Sequence, residues 1–132
     1  MKTILLIEKN NNIRENLTEC LQIENYKIFA TNNGKKGIEI AREQIPHLII
    51  CDVWTHEMIG QQVLPSLLNT IQTSGIPFIF STSMPDYINR MDALKLGADD
   101  YIIKPFEIET LLNMAKIWIA SGSRRSKNVL TC

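Results

Sequence analysis

Five short apolar runs alternate with stretches of helical periodicity along this chain, and that alternation limits its fold more than any other feature. The runs are residues 3–7, 26–30, 48–51, 78–81 and 101–103. Each is too short for a helix, and several are apolar throughout, which is how strands buried on both faces of a parallel sheet read. Between them, Ile13, Leu17, Cys20 and Leu21 fall on one face of a first helix that Asn11 or Asn12 can cap. A second helix follows Gly34, holds Ile38 and Ala41 inward and stops before Pro46. The third carries Val63, Leu64, Leu67, Leu68 and Ile71. Pro65 lacks an N–H and suits a first turn, so this helix is expected to begin near Pro65 or to bend there. The fourth runs from about residue 85 to 96 and stops at Gly97. The fifth follows Lys104-Pro105 and holds Ile108, Leu111, Leu112, Ala115 and Ile119 on one face.

The pattern is (βα)5. Right-handed crossovers turn it into a doubly wound parallel α/β sheet, for which the strand order 2-1-3-4-5 is expected. Such sheets bind ligands at the carboxyl ends of their strands, beside the switch point. The residues that end the first, third, fourth and fifth strands should therefore converge: Glu8 with Lys9, Asp52, Thr82 and Lys104. The domain is expected to span residues 1–120, with 121–132 a polar tail or the start of a linker.

Composition removes several function classes. Basic and acidic side chains balance at 14 each, which gives no support for broad electrostatic binding to nucleic acid or an anionic membrane. Three cysteines, Cys20, Cys51 and Cys132, form no C-x-x-C pair and suit a reducing compartment. The apolar run before Glu8 is too short for a signal peptide, and no stretch approaches the roughly 20 apolar residues of a membrane span. A cytoplasmic protein with no direct nucleic-acid or membrane partner is expected.

An acid, an acceptor carboxylate, a hydroxyl and a lysine at one sheet edge make a coherent phosphoryl-transfer site. Asp52 can act as nucleophile and form an acyl phosphate. A carboxylate attacking a phosphoryl group needs its charge offset, usually by Mg²⁺ and a lysine. Lys104 supplies one cation, Thr82 can donate to a phosphoryl oxygen, and Glu8 can contribute to a magnesium shell directly or through water.

Four segments carry a resemblance to response-regulator receiver domains of two-component signalling. They are Ile4-Leu5-Leu6-Ile7-Glu8, Pro46-His47-Leu48-Ile49-Ile50-Cys51-Asp52, Ile76-Pro77-Phe78-Ile79-Phe80-Ser81-Thr82-Ser83, and Gly97-Ala98-Asp99-Asp100-Tyr101-Ile102-Ile103-Lys104-Pro105-Phe106. The last is the most specific, and the resemblance runs from about Lys2 to Ile119. It implies a flavodoxin-like fold and a phosphoacceptor switch rather than an enzyme, one that at most assists its own phosphotransfer and dephosphorylation. It makes Asp52 the phosphoacceptor, Thr82 the switch hydroxyl, Lys104 the phosphoryl-contacting lysine and Tyr101 the aromatic that moves on activation. It also implies a metal site from Glu8, Asp52 and the backbone carbonyl of Trp54. The expected partners are a histidine kinase or phosphotransfer protein and, through the face of the fourth helix, fifth strand and fifth helix, an output partner or a second copy. On that face Ile117 is expected to point outward, Met114 to lie off the core side and Trp118 to sit at the margin.

The chain also departs from the family pattern. Two adjacent acids usually follow the first strand, and here the pair is Glu8-Lys9. After Asp52, Thr55-His56 stand where Met-Pro is common, although Met58 and Gly60 fit. A lysine in place of a direct carboxylate ligand removes one negative charge and adds one positive. Two unit charges about 4 Å apart interact by roughly 4 kcal/mol at an effective dielectric near 20, and a third of that costs about tenfold in affinity. Weak or absent Mg²⁺ binding is therefore expected. Lys9 has two readings: its ammonium points to solvent and leaves a depleted metal site, or it lies at the metal locus and pairs with Asp52.

Plainer readings exist for several of these residues. Thr82 alone is an ordinary strand threonine, Tyr101 can be simple packing, and His47 and His56 need no role. The Arg124-Arg125-Ser126-Lys127 run is a solvated tail in the plain reading. Among other classes, a flavin-binding flavodoxin needs a glycine- and hydroxyl-rich loop after the first strand, and Glu8-Lys9-Asn10-Asn11-Asn12 has neither. An Asp-x-Asp phosphatase would need its second aspartate at Trp54. A pseudo-receiver, a protein-interaction module without Mg²⁺-dependent phosphorylation, remains the alternative that Lys9 supports. With no room for a DNA-binding output domain, a stand-alone regulator or an excised receiver is expected.

Overall fold

The computed structural model describes residues 1–52, 60–83 and 97–123. Strand β1 (Thr3–Ile7) leads into helix α1 (Asn11–Ile23), β2 (Lys27–Thr31), α2 (Gly34–Gln44) and β3 (Leu48–Asp52). Helix α3 (Gly60–Leu68), the single helical turn α4 (Ile71–Ser74), β4 (Phe78–Thr82), β5 (Asp100–Ile103) and α5 (Ile108–Ser121) follow. The strands pair in parallel in the order β2-β1-β3-β4-β5, the doubly wound flavodoxin-like sheet that the apolar alternation predicts. The expected fourth helix, residues 85–96, lies outside the described residues.

The alternation of side chains along each strand divides the core into two layers. Leu5, Ile7, Ile49, Cys51, Phe78 and Phe80 pack against α2 and α3 through Ile38, Ala41, Val63, Leu64 and Leu67. Ile4, Leu6, Leu48, Ile50, Ile79 and Ile102 face α1 and α5 through Leu17, Leu21, Leu111 and Ala115. Every residue of β3 and β4 is buried, so the two central strands lie under helices on both sides. Each fully buried Ile, Leu or Phe side chain contributes roughly 1.5–3 kcal/mol relative to exposure. Helix α2 approaches β1 closely at Gly37, where an added Cβ would lie 2.8 Å from Ile7 Cγ1 and closer still to its Cδ1.

Several local expectations are corrected. The cap of α1 is Asn10, not Asn11 or Asn12: its Oδ1 accepts the Ile13 N–H at 3.0 Å. Three consecutive asparagines offer the same chemistry, and only the register of the helix separates them. Helix α3 begins at Gly60, well before Pro65, which lies inside it and is exposed. The apolar stripe of Val63, Leu64 and Leu67, each at most 1% exposed, outweighs one missing hydrogen bond. Ile71 does not belong to that stripe. The chain turns at Thr70, Thr73 Oγ1 donates to the Leu67 carbonyl at 2.6 Å, and Ile71 is 90% exposed. Met114, expected off the core face, packs partly buried against the α1–α5 layer; an unbranched, adaptable side chain can reach it from there. Apart from these corrections, α5 ends at Ser121, and Ser123 after it is fully buried.

Candidate functional site

The carboxyl ends of β1 and β3 place two acids side by side. In each strand the side-chain alternation continues the face of its α1–α5 layer: Ile4 and Leu6 lead to Glu8, Leu48 and Ile50 to Asp52. Glu8 is 1% and Asp52 6% exposed. Two buried carboxylates at one edge are costly unless a cation joins them. Lys104 supplies it from the end of β5: its Nζ lies 2.6 Å from Glu8 Oε1 and 3.4 Å from Asp52 Oδ2. The Lys104 N–H donates to the Thr82 carbonyl at 2.7 Å, which fixes the lysine backbone beside β4, and the next peptide bond, to Pro105, is cis.

The β1–α1 turn holds Glu8 in place. Its Oε2 accepts the Asn10 N–H at 3.0 Å, and its carbonyl accepts Arg14 Nη1 at 2.9 Å. Neither Asn10 nor Arg14 stands out in the sequence as a site residue. The only available signal was the S/T/D/N capping pattern, which three asparagines blur. The groove above these groups measures about 620 Å³ and is lined by Glu8, Asp52 and Lys104 together with Lys9, Ile13 and Phe106.

Lys9 is exposed and forms no ion pair with the described residues, so Lys104, and not Lys9, is the lysine that pairs with Asp52. Thr82, 1% exposed, continues the other face of β4, that of Phe78 and Phe80. Tyr101, the register partner of Phe80, packs partly buried against the same layer. The switch candidates thus share one sheet face, and the acids share the opposite one. Ser81 escaped notice in the sequence. It is the register partner of Asp52, and its buried hydroxyl has no hydrogen-bond partner among the described residues. Trp54 and His56 lie outside the described residues. Cys51, next to Asp52, is not a competing nucleophile. Burial first, and then the charges of Asp52 and Glu8, push its thiol pKa well above the ordinary value, with Lys104 opposing them.

The described donors alone do not make up a divalent-cation shell. Among the described residues no group of three or more His, Cys, Asp or Glu side chains is gathered to hold a metal. Glu8 and Asp52 are two carboxylates with an ammonium between them, and Lys9 stands where a further acid would complete a hard-cation shell.

A doubly wound parallel sheet with an acid, a buried aspartate and a lysine at its carboxyl edge is the architecture of signalling receivers. Comparison with known proteins agrees. The response regulator receiver domain family matches residues 4–116, and the chain belongs to that family. It is 36% identical over 107 residues to Histidine kinase P4 of Formosa agariphila, covering 81% of this chain and 8% of that protein. It is 32% identical over 126 residues to the transcriptional regulatory protein AfsQ1 of Streptomyces coelicolor, covering 96% of this chain and 55% of the relative. The chain therefore spans about half or less of these relatives. Among solved structures, response regulator TrrA of Thermotoga maritima, in complex with Mg(2+)-BeF, superposes with a TM-score of 0.78 at 27% identity, covering 89% of this chain and 98% of that one. The protein is thus a two-component receiver domain, homologous to response regulators and to the receiver domains of histidine kinases. Among the described residues no helix is long and apolar enough to cross a membrane.

Proposed function

We propose that the chain accepts a phosphoryl group on Asp52 from a histidine kinase or phosphotransfer protein and thereby switches a protein-binding face. The observation that carries this reading is a buried Asp52 carboxylate with the Lys104 ammonium 3.4 Å away, at the mouth of an open groove. An Asp52 oxygen attacks phosphorus and forms a P–O bond. The donor's P–N bond breaks, and its electron pair leaves on the imidazole nitrogen. Lys104 offsets charge on the phosphoryl oxygens, and the Thr82 hydroxyl, at the carboxyl end of β4, comes across the sheet edge to donate to one of them. Glu8, Asp52 and the Trp54 carbonyl that the family resemblance implies are the groups that would hold a metal; Lys9 weakens that set, so Mg²⁺ contributes little. The chain is a phosphoacceptor switch and not an enzyme, and it works in the cytoplasm.

The outgoing face combines Tyr101 with exposed apolar residues of β5 and α5. Ile103, the register partner of Thr82, is 38% exposed, and Ile117 on α5 is 60% exposed. Phosphorylation biases this face through Thr82 and Tyr101, toward an output partner or a second copy of the chain. A second reading, a protein-interaction module that is never phosphorylated, is favoured by Lys9. Acetyl phosphate, offered with and without Mg²⁺, separates the two. The proposed function expects one added phosphoryl mass in the wild type and none in Asp52→Asn. No added mass under either condition would leave the second reading.

A further inference from the structure

We propose that this site works without a divalent cation, with Lys9 and Lys104 together supplying the positive charge that a phosphoryl group on Asp52 requires. The proposal deepens the reading of Asp52 as acceptor and rests on it. Its basis is the charge balance at the carboxyl edge of the sheet. Glu8 and Asp52 bring two negative charges, Lys104 brings one positive charge between them, and Lys9, the residue after Glu8, brings a second. The four sum to zero. A carboxylate in place of Lys9 would leave two negative charges in excess, which is the amount one divalent ion cancels. With lysine there, the excess that draws such an ion is gone, and a phosphoryl dianion meets a neutral site with two ammonium groups.

Geometry gives the two lysines different duties. Lys104 is largely buried and already bonded to both acids. Glu8 is engaged at both oxygens, by Lys104 and by the Asn10 N–H, so it stays in place as the counter-charge. Lys9 lines the same groove as Asp52 and Lys104, is exposed, and is held by no acid among the described residues. Its long stem carries a compact, rotatable ammonium that can close on an anion entering the groove. Lys104 is the fixed cation that keeps two buried acids together, and Lys9 is the second cation, recruited when the anion arrives.

The test is a titration with beryllofluoride, a phosphoryl mimic that binds an aspartate oxygen, in buffer stripped of divalent metal by chelating resin and again with millimolar MgCl₂. Bound ligand is followed by its ¹⁹F resonance. The proposal expects saturable binding in stripped buffer, with an affinity that Mg²⁺ changes by no more than about threefold. Lys9→Gln should weaken binding in stripped buffer by about tenfold, and Lys9→Asp should make binding depend on Mg²⁺. Because Lys9 is exposed, both variants keep the fold, which circular dichroism checks. Wild-type binding that appears only with Mg²⁺ would overturn the proposal and leave Asp52 as acceptor. Unchanged affinity in Lys9→Gln would remove Lys9 from the site. Wild-type binding in neither buffer would overturn the proposal and the acceptor reading together.

Discussion

Asp52 and Asp99 are both buried aspartates of the same sheet, at opposite ends of it, and they are held by different kinds of partner. Asp99, 2% exposed, precedes β5 at the amino edge, where its Oδ2 accepts the Phe78 N–H at 2.9 Å and its Oδ1 the Ser123 hydroxyl at 3.1 Å. Those donors are fixed parts of β4 and of the chain just after α5, so the carboxylate ties helix to sheet. Asp52, 6% exposed, ends β3 at the carboxyl edge, where its ion-pair partner is an ammonium shared with Glu8 and facing a groove. A shared cation on a flexible stem can be given over to a newcomer; a backbone N–H cannot. Burial of a carboxylate therefore does not mark function by itself. The mobility and charge of what satisfies it does.

The contrast can be broken from the Asp99 side first. Asp99→Ala leaves the Phe78 N–H and the Ser123 hydroxyl buried without this acceptor, and should cost about 2–4 kcal/mol. Urea denaturation measures it, and a loss under 1 kcal/mol, about the value of a single exchanged hydrogen bond, would deny Asp99 its structural role. Ser123→Ala removes one of the two bonds and should cost about 1 kcal/mol in the same assay. Asp52→Asn keeps the shape, removes one of two adjacent negative charges and leaves Lys104 to Glu8. Its stability should stay within about 1 kcal/mol of wild type, and a loss as large as that of Asp99→Ala would make Asp52 structural too.

The smallest expected effect also belongs to the amino edge. His47 Nδ1 accepts the Thr3 N–H at 3.0 Å, so the fold favours neutral imidazole there. Desolvation first, then Lys2 and the amino terminus, lower its pKa below 6.5. A depressed pKa contributes stability that is present above the unfolded value and lost as pH falls through the folded one. Thermal unfolding should therefore shift downward on acidification below about pH 6.5, and less so in His47→Gln. An identical pH dependence in the variant would exclude His47 as the source.

How much of this was legible in the sequence depends on the range over which each feature is encoded. The five strands follow from local apolar runs, and the strand order expected among those a doubly wound sheet allows brings Glu8, Asp52 and Lys104 to one edge. The acid–lysine contact was thus readable from topology before any distance was known. The Asp99–Ser123 tie joins residues 24 apart across the fold, and neither residue type announces it. Lys9 remained ambiguous because sequence gives a lysine's position but not the direction of its long side chain. Pro65 misled as to where its helix starts, because a local rule was set against an apolar stripe whose burial is decided by tertiary packing.

The central claim is that the carboxylate with the exchangeable partner, Asp52, is the one that is phosphorylated. An aspartyl phosphate is reduced by borohydride to homoserine, which records its position in the chain. The direct measurement is peptide mass mapping after treatment with acetyl phosphate and then borohydride. The account predicts homoserine at position 52 and unmodified aspartate at positions 99 and 100. Homoserine at either of those positions, or phosphoryl labelling that persists in Asp52→Asn, would contradict it.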